Sequence, residues 1–390
     1  MIIQYNHYFC AFKSRMSLVE FISNLSPEIV LALTFMVSFA VTYLSIPSIV
    51  NVVRQKKLFD VPSRRKSHKQ QTPTLGGVAI FAGFTVSAGS FINYNLVPSL
   101  QYILVASIII FFIGLKDDIL LIVPIKKLFG QILAGLVIMI PGNLYFSSVH
   151  GFLGIYHISV IPSLLLTLFV IIVIINSFNL IDGIDGLAAS LGMLSSLFFG
   201  VWFFISGNIE YSLISAAIIG TLLAFFRFNV FLGKNKIFMG DTGSLIVGLL
   251  MAVQVIMFNE KNIGFTSAFS IKSAPAVSFT VLIIPLFDTL RVFLIRMLRK
   301  RSPFIADKNH LHHCLLKLGF SHIQTTMIIV FANICFIIMA LALQNIGILG
   351  LTAIILSIAT ILSFYIEYLV KKNGHSVPDM SRDNEDIPHN

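Results

Sequence analysis

Apolar runs of near-bilayer length recur along this chain, and they constrain its fold more than any single motif does. Leu164 to Ile175 is almost unbroken, and with the residues from Ile158 it is long enough to cross a bilayer. Similar runs lie near 28–51, 75–95, 100–116, 127–141, 159–177, 186–206, 210–226, 242–258, 275–298, 324–343 and 346–369. Backbone groups in lipid need partners within their own segment, so each run is expected to be a helix. With 56% hydrophobic and only 11% charged residues among 390, the expected class is an all-α integral membrane protein. Its expected form is a polytopic bundle of about eleven transmembrane helices.

Three regions follow from this pattern. Residues 1–27 form an N-terminal extracytoplasmic segment with a poor apolar core and no cleavable signal, and Met16 is an alternative start. Residues 28–370 form the polytopic domain, and 371–390 a polar, disordered cytoplasmic tail. Cys10, Cys314 and Cys335 are scattered, which suggests neither a disulfide framework nor a zinc site.

The net charge of +10 is unevenly placed. The connections 52–74, 116–127, 227–241 and 297–323 carry Lys and Arg in number, whereas 93–99 and 142–158 carry none and 259–274 only Lys261 and Lys272. By the positive-inside rule the basic connections are cytoplasmic, which puts the amino terminus outside and the carboxyl terminus inside.

The polar clusters fall on that same side. Asn176 to Leu187 places Asn176, Asn179, Asp182 and Asp185 at the end of an apolar run, with Gly183 and Gly186 between them. The stretch also suits a polar helix end capped by Asn and Asp. Asp117 and Asp118 follow the third run, and Lys126 and Lys127 come one short loop later, able to neutralise the pair or clamp a phosphate. Phe238-Met239-Gly240-Asp241-Thr242-Gly243-Ser244 opens the eighth run. Its glycines let N–H groups face an anion while Asp241 could hold a divalent metal or act as an N-cap. Finally, His310, His312 and His313 follow Arg296, Arg299 and Arg301. With basic residues beside them in a cytoplasmic connection, they suit a diphosphate or sugar-phosphate better than zinc. Asp288, after Pro285, is an intramembrane acid and so a functional candidate, with pairing to Arg291 on the same helix as the plainer reading.

These segments, in order, resemble the polyprenyl-phosphate N-acetylhexosamine-1-phosphate transferase family. The likeness runs from about Lys57 to Gly319. It includes Ser67-His68-Lys69 with Thr72-Pro73-Thr74-Leu75-Gly76-Gly77, then Lys116-Asp117-Asp118, Asn176 to Leu187, Phe238 to Ser244, and His310-Leu311-His312-His313. The Asp307 to His313 form looks like the bacterial branch that loads GlcNAc-1-phosphate to begin teichoic acid, O-antigen or capsule synthesis. The branch acting on phospho-MurNAc-pentapeptide differs there.

The resemblance implies a magnesium-dependent enzyme of the inner (plasma) membrane, with manganese as an alternative cofactor. It would take a UDP-N-acetylhexosamine and undecaprenyl phosphate as substrates, lie among membrane lipids, bind no nucleic acid, and admit a homodimer. Asp241 matches the metal ligand and Asn179 an amide that ligates or orients the metal. The catalytic set would be Asp117, Asp118, Asp182, His310, His312 and His313. Lys69, Thr74, Lys127, Asn176, Asp185, Asn229, Phe238, Arg299 and Arg301 would bind substrate, with Phe238 and Asp185 at the uracil. Leu121 stands where many relatives have a third acid, which puts in doubt any scheme that needs three carboxylates there. Two rivals remain at this stage. A transporter would place polar groups near the bilayer midplane, and a lipid-binding scaffold would keep the fold without turnover.

Overall fold

The computed structural model describes residues 25–56, 72–120, 122–231, 233, 235–298 and 310–373. In chain order the helices are α1 (Pro27–Lys56), α2 (Gly76–Phe91), α3 (Leu100–Leu120), α4 (Pro124–Met139), α5 (Val160–Ile181), α6 (Leu187–Ile205) and α7 (Ile209–Phe226). They continue with α8 (Gly240–Asn262), α9 (Ala274–Val281), α10 (Ile283–Leu298), α11 (Leu311–Lys317), α12 (His322–Leu343) and α13 (Ile348–Lys372). A short antiparallel hairpin, β1 (Ser148–Phe152) and β2 (Ile155–His157), interrupts them.

Helix α8 is the axis of the bundle. It is apolar on every side, and such a helix is stable only when wrapped by others. It packs against α2, α3, α5, α6, α7 and α9. Its most apolar window is 94% buried, whereas those of α1 and α13 are only 28% and 22% buried and leave most of their surface for lipid. Asp241 at its start and Glu260 near its end lie nineteen residues apart, about 28 Å of helix, close to the hydrocarbon thickness of a bilayer. Glu260 takes hydrogen bonds from Ser147 N (2.8 Å) and Ser147 Oγ (2.7 Å), tying the hairpin to that end. The acids of interest gather at the other.

A helix stands at each of the eleven expected spans. Seven of the described helices are long and apolar enough to cross a membrane, or eight if α9 and α10 count as one span bent by 82°. This makes a multi-pass membrane protein. Three of the expected runs, those of α2, α3 and α4, are not among them: α2 and α4 have only sixteen residues each, about 24 Å, and α3, with 21, runs on into Lys116, Asp117 and Asp118. The bend has an identifiable cause. Pro285 has no N–H to give the carbonyl of Val281, four residues earlier, and in lipid that oxygen needs another donor. Asn333 Nδ2 (3.1 Å) and Ser195 Oγ (3.4 Å) supply it from α12 and α6. The hairpin lies in the connection 142–158, which carries no Lys or Arg. Gly151 and Gly154, both at positive φ, let so short a segment turn back on itself. The segments 1–24 and 374–390, including most of the amino-terminal segment and the tail, lie outside the described residues.

Close packing of α5 on α8 depends on Gly248, where a Cβ would lie 2.6 Å from Ile175 Cα. Gly248→Ala is therefore expected to lower stability by about 1–3 kcal/mol through overpacking, read as a lower unfolding midpoint of the detergent-solubilised protein. An unchanged midpoint would mean that the two helices are not in contact there.

Candidate active site at one end of the bundle

The site is built where α8 begins. Helix α8 has no side-chain cap of its own, so its first N–H groups need outside acceptors. Asp118, at the end of α3, provides them: its carboxylate accepts from Asp241 N (2.8 Å), Thr242 N (3.0 Å) and Thr242 Oγ1 (2.5 Å). The loop ahead of α2 docks on the same turn, with Phe238 N donating to Pro73 O (2.8 Å), Gly76 N to Phe238 O (3.0 Å) and Gly77 N to Met239 O (2.9 Å). Gly240 sits at φ +71°, and a Cβ there would meet the Thr74 carbonyl oxygen at 2.1 Å. Thr74 thus lines the turn through its backbone.

Asp241 projects from this turn. Asn179 Nδ2 donates to its Oδ1 and also to Ser244 Oγ (2.9 Å), while Lys127 Nζ lies 3.3 Å from its Oδ2. Lys127 pairs as well with Asp117, whose other oxygen accepts from Ile122 N (2.7 Å). One ammonium group therefore bridges Asp117 and Asp241. Asp182, just past α5, is partly buried and lies within the field of Asp241, Asp118 and Asp185. Burial first, and those three negative neighbours after it, push its carboxyl well above the usual carboxylate range.

Asp185 behaves oppositely. Burial opposes its ionisation, but hydrogen bonds from His322 (3.1 Å) and Lys236 (2.6 Å) outweigh that and lower it. Lys236 Nζ also stands 5.6 Å from the centre of the Phe238 ring, so an aromatic face and an anchored carboxylate adjoin. Asn229 braces this corner, accepting from Gly186 N (2.6 Å) and donating to Ile237 O (2.9 Å). Both bonds occupy the amide that the sequence suggested for a uridine contact. Asn176 is likewise engaged, in a mutual amide pair with Gln131 (2.7 and 3.3 Å).

The histidine segment closes the other side. His312 is 1% exposed, and among the described residues neither of its ring nitrogens has a hydrogen-bond partner. Burial, then the neighbouring His313, lowers it to about 3, so the ring is neutral at physiological pH. It lies against Gly183, where a Cβ would come within 2.3 Å of Nε2. His310 stacks on His312 with ring centres 5.7 Å apart, and His313 lies 4.2 Å from His312. His310 Nδ1 is 2.9 Å from Asp288. The expected Asp288–Arg291 pair exists but is long, at 3.5 Å.

Asp117, Asp118, Asp182, Asp185, Asp241, Asn179, Lys127, Phe238 and the histidines are thus brought to one end of the bundle. Lys69, Arg299 and Arg301 lie outside the described residues. Sequence reading missed Thr242, Gln131, Lys236 as the partner of Asp185, and His322. The Ser321–Gln324 capping box was a readable sign that a helix begins at His322. Among the described residues no group of three or more His, Cys, Asp or Glu is arranged to hold a metal ion by itself. Magnesium does not need one, because it is commonly held by one or two carboxylates with substrate phosphates and water completing its shell. Asp241 with Asn179, in an acid-rich basin bridged by a single lysine, fits that requirement.

The raised Asp182 carboxyl has a defined consequence for stability. Its folded form holds the proton more tightly than the unfolded form, so stability falls as pH rises above the unfolded value of about 3.9 toward the folded one. Asp182→Asn, which cannot ionise, is expected to raise the unfolding midpoint at pH 8 and to change it less at pH 5. Equal effects at both pH values would remove the burial argument.

Comparison with known proteins agrees with this arrangement. The sequence model of glycosyl transferase family 4 matches residues 100–259, which contain the two acid clusters and all of α8 except its last turn. The chain is 30% identical over 302 residues to an undecaprenyl-phosphate alpha-N-acetylglucosaminyl 1-phosphate transferase of Escherichia coli O157:H7, covering 77% of this chain and 78% of that protein. It is 32% identical over 321 residues to a decaprenyl-phosphate N-acetylglucosaminephosphotransferase of Mycobacterium tuberculosis (strain CDC 1551 / Oshkosh), covering 77% and 79%. With a match to the family's model and 30% identity to such a transferase over three quarters of its length, the chain belongs to glycosyl transferase family 4.

Proposed function

We propose that this protein transfers an N-acetylhexosamine-1-phosphate, GlcNAc-1-phosphate in the first instance, from a UDP-sugar to undecaprenyl phosphate, releasing UMP. The observation that carries the reading is the convergence of Asp117, Asp118, Asp182 and Asp241 with Lys127 and the histidine segment at one end of α8. The names of the relatives support the acceptor and sugar classes. Polar groups gathered at an end rather than the midplane favour an interfacial enzyme over a transporter. The Lys and Arg bias of the connections supports a cytoplasmic site in the inner membrane. The product, a sugar on a lipid diphosphate, suits the first step of a cell-envelope polysaccharide.

Asp241 and the Asn179 amide would hold magnesium, with diphosphate oxygens completing its shell. When bound, the metal would draw charge from the diphosphate and stabilise departing UMP. The rest falls to this chain's residues. An oxygen of the lipid phosphate attacks the sugar-bearing phosphorus; the new P–O bond forms as the bond to UMP breaks. That phosphate, with a second pKa near about 6, is mostly dianionic already, so a base removes only a residual proton. Asp118 or Asp117 would take that task, Asp118 being held by the first N–H groups of α8 and Asp117 by Lys127 and Ile122 N. Phe238 and Asp185 offer a ring face and an oriented acceptor to the uracil, and of the two unpartnered nitrogens of neutral His312 one can donate to a sugar hydroxyl and the other accept from one. Holding a lipid-borne nucleophile against a soluble donor supplies most of the rate.

The test is turnover by membranes containing the protein, given polyprenyl phosphate, magnesium and a panel of radiolabelled UDP-aminosugars. Lipid-linked sugar and UMP should appear together, vanish with chelator and return with magnesium. Asp241→Asn should cost about 100-fold or more, equivalent to the several kcal/mol a Lewis acid contributes. No product from any donor, with folded protein, would leave a non-catalytic lipid-binding scaffold. If Asp117→Asn and Asp118→Asn both kept full turnover, the base would be discarded and direct attack retained.

A further inference from the structure

We propose that Asp288, buried in the bent ninth span, is the positioning residue that sets the orientation and tautomer of His310; the inference rests on the histidine segment belonging to the transferase site. Asp288 is 1% exposed, an unusual place for an acid on an apolar helix, where an ionised group is costly unless its oxygens are matched by donors. They are matched by two consecutive residues of the histidine segment. Oδ2 lies 2.9 Å from His310 Nδ1, and Oδ1 accepts from Leu311 N at 3.0 Å. The carboxylate thus fixes both the ring and the first turn of α11, which has no side-chain cap of its own.

The plainer pairing with Arg291 is the weaker contact. Arg291 reaches Asp288 Oδ1 only at 3.5 Å, while its other terminal nitrogen pairs closely with Glu367 on α13. Arg291 therefore links α10 to α13 and adds positive field behind Asp288, and Asp288 faces His310. Among the described residues, the charged and titratable groups around His310 include Asp288 and Arg291 from α10, His312, His313 and Cys314 from α11, and Glu367 from α13 through Arg291.

The chemistry follows from the acceptor. An ionised carboxylate only accepts, so Nδ1 of His310 must carry the hydrogen, and Nε2 is left as the one ring nitrogen with a free lone pair. His310 stacks on His312 at an interplanar angle of 11°, and His312 lies against Gly183 beside Asp182. Fixing the first ring therefore sets the whole histidine stack over the acidic basin. Removing such an outer partner of a working histidine commonly costs about 10- to 100-fold.

The experiment uses the full chain labelled with ¹⁵N-histidine, as wild type, Asp288→Asn, Asp288→Glu and Arg291→Gln, with His310→Gln to assign the resonance. Wild type should show His310 protonated at Nδ1, and Asp288→Asn should shift it toward the Nε2-protonated form. In the transferase assay Asp288→Asn should lose about 10- to 100-fold in kcat with its unfolding midpoint largely kept, and Asp288→Glu should recover part of that loss. An unchanged tautomer in Asp288→Asn overturns the proposal. So does a loss of turnover that only follows loss of fold and that Arg291→Gln reproduces. If the wild type turned over no UDP-sugar, the transferase reading would fail, while the nitrogen resonances would still decide whether Asp288 sets the ring.

Discussion

The carboxylate of Asp118 holding the start of α8 is the interaction on which the rest of this structure depends. A buried helix cannot leave its first N–H groups unmatched, and α8 is the most enclosed helix of the bundle. Its acceptor comes from α3, 123 residues earlier in the chain. The same turn receives the loop before α2 through the carbonyls of Phe238 and Met239. One clasp therefore joins α3, α2 and α8, and aims Asp241 at the ends of α4 and α5, where Lys127 and Asn179 meet it.

The electrostatics follow from that convergence. Five aspartates lie at one end of the bundle, and among the described residues Lys127, Lys236 and His322 are seen to pair with them. Burial and these negative neighbours make Asp182 hold its proton more tightly than a free carboxyl does. On the opposite side the buried ring of His312 is neutral at physiological pH, with Asp288 and Arg291 behind the neighbouring His310.

Much of the fold was legible because lipid leaves a chain few choices. Every long apolar run is a helix, but Pro285 alone does not foretell the break in the ninth, since Pro47 also sits inside α1 without ending it. What the runs could not tell was helix length after bending and docking, so α2 and α4 fall short of full spans. For the site, residue types located the right region but not each task. Asn176 and Asn229 have the chemistry of ligand contacts, and their amides also hold the bundle together through Gln131, Gly186 and Ile237, which spacing alone does not reveal. Asp118 reads as one half of an acid pair, and its bond to Thr242 depends on a helix far along the chain. Asp288 reads as a partner for the nearest arginine, and its closer contacts are with His310 and Leu311. Local spacing reveals neighbours on one helix; contacts between helices are decided by how the bundle closes.

The most direct measurement is a double-mutant cycle between Asp118→Ala and Thr242→Val, read as unfolding free energy in detergent. If Asp118 clasps the first turn of α8, the two changes are non-additive, with a coupling of about 1 kcal/mol or more. Additivity within about 0.3–0.5 kcal/mol would contradict the clasp, and with it the route by which distant acids reach one site.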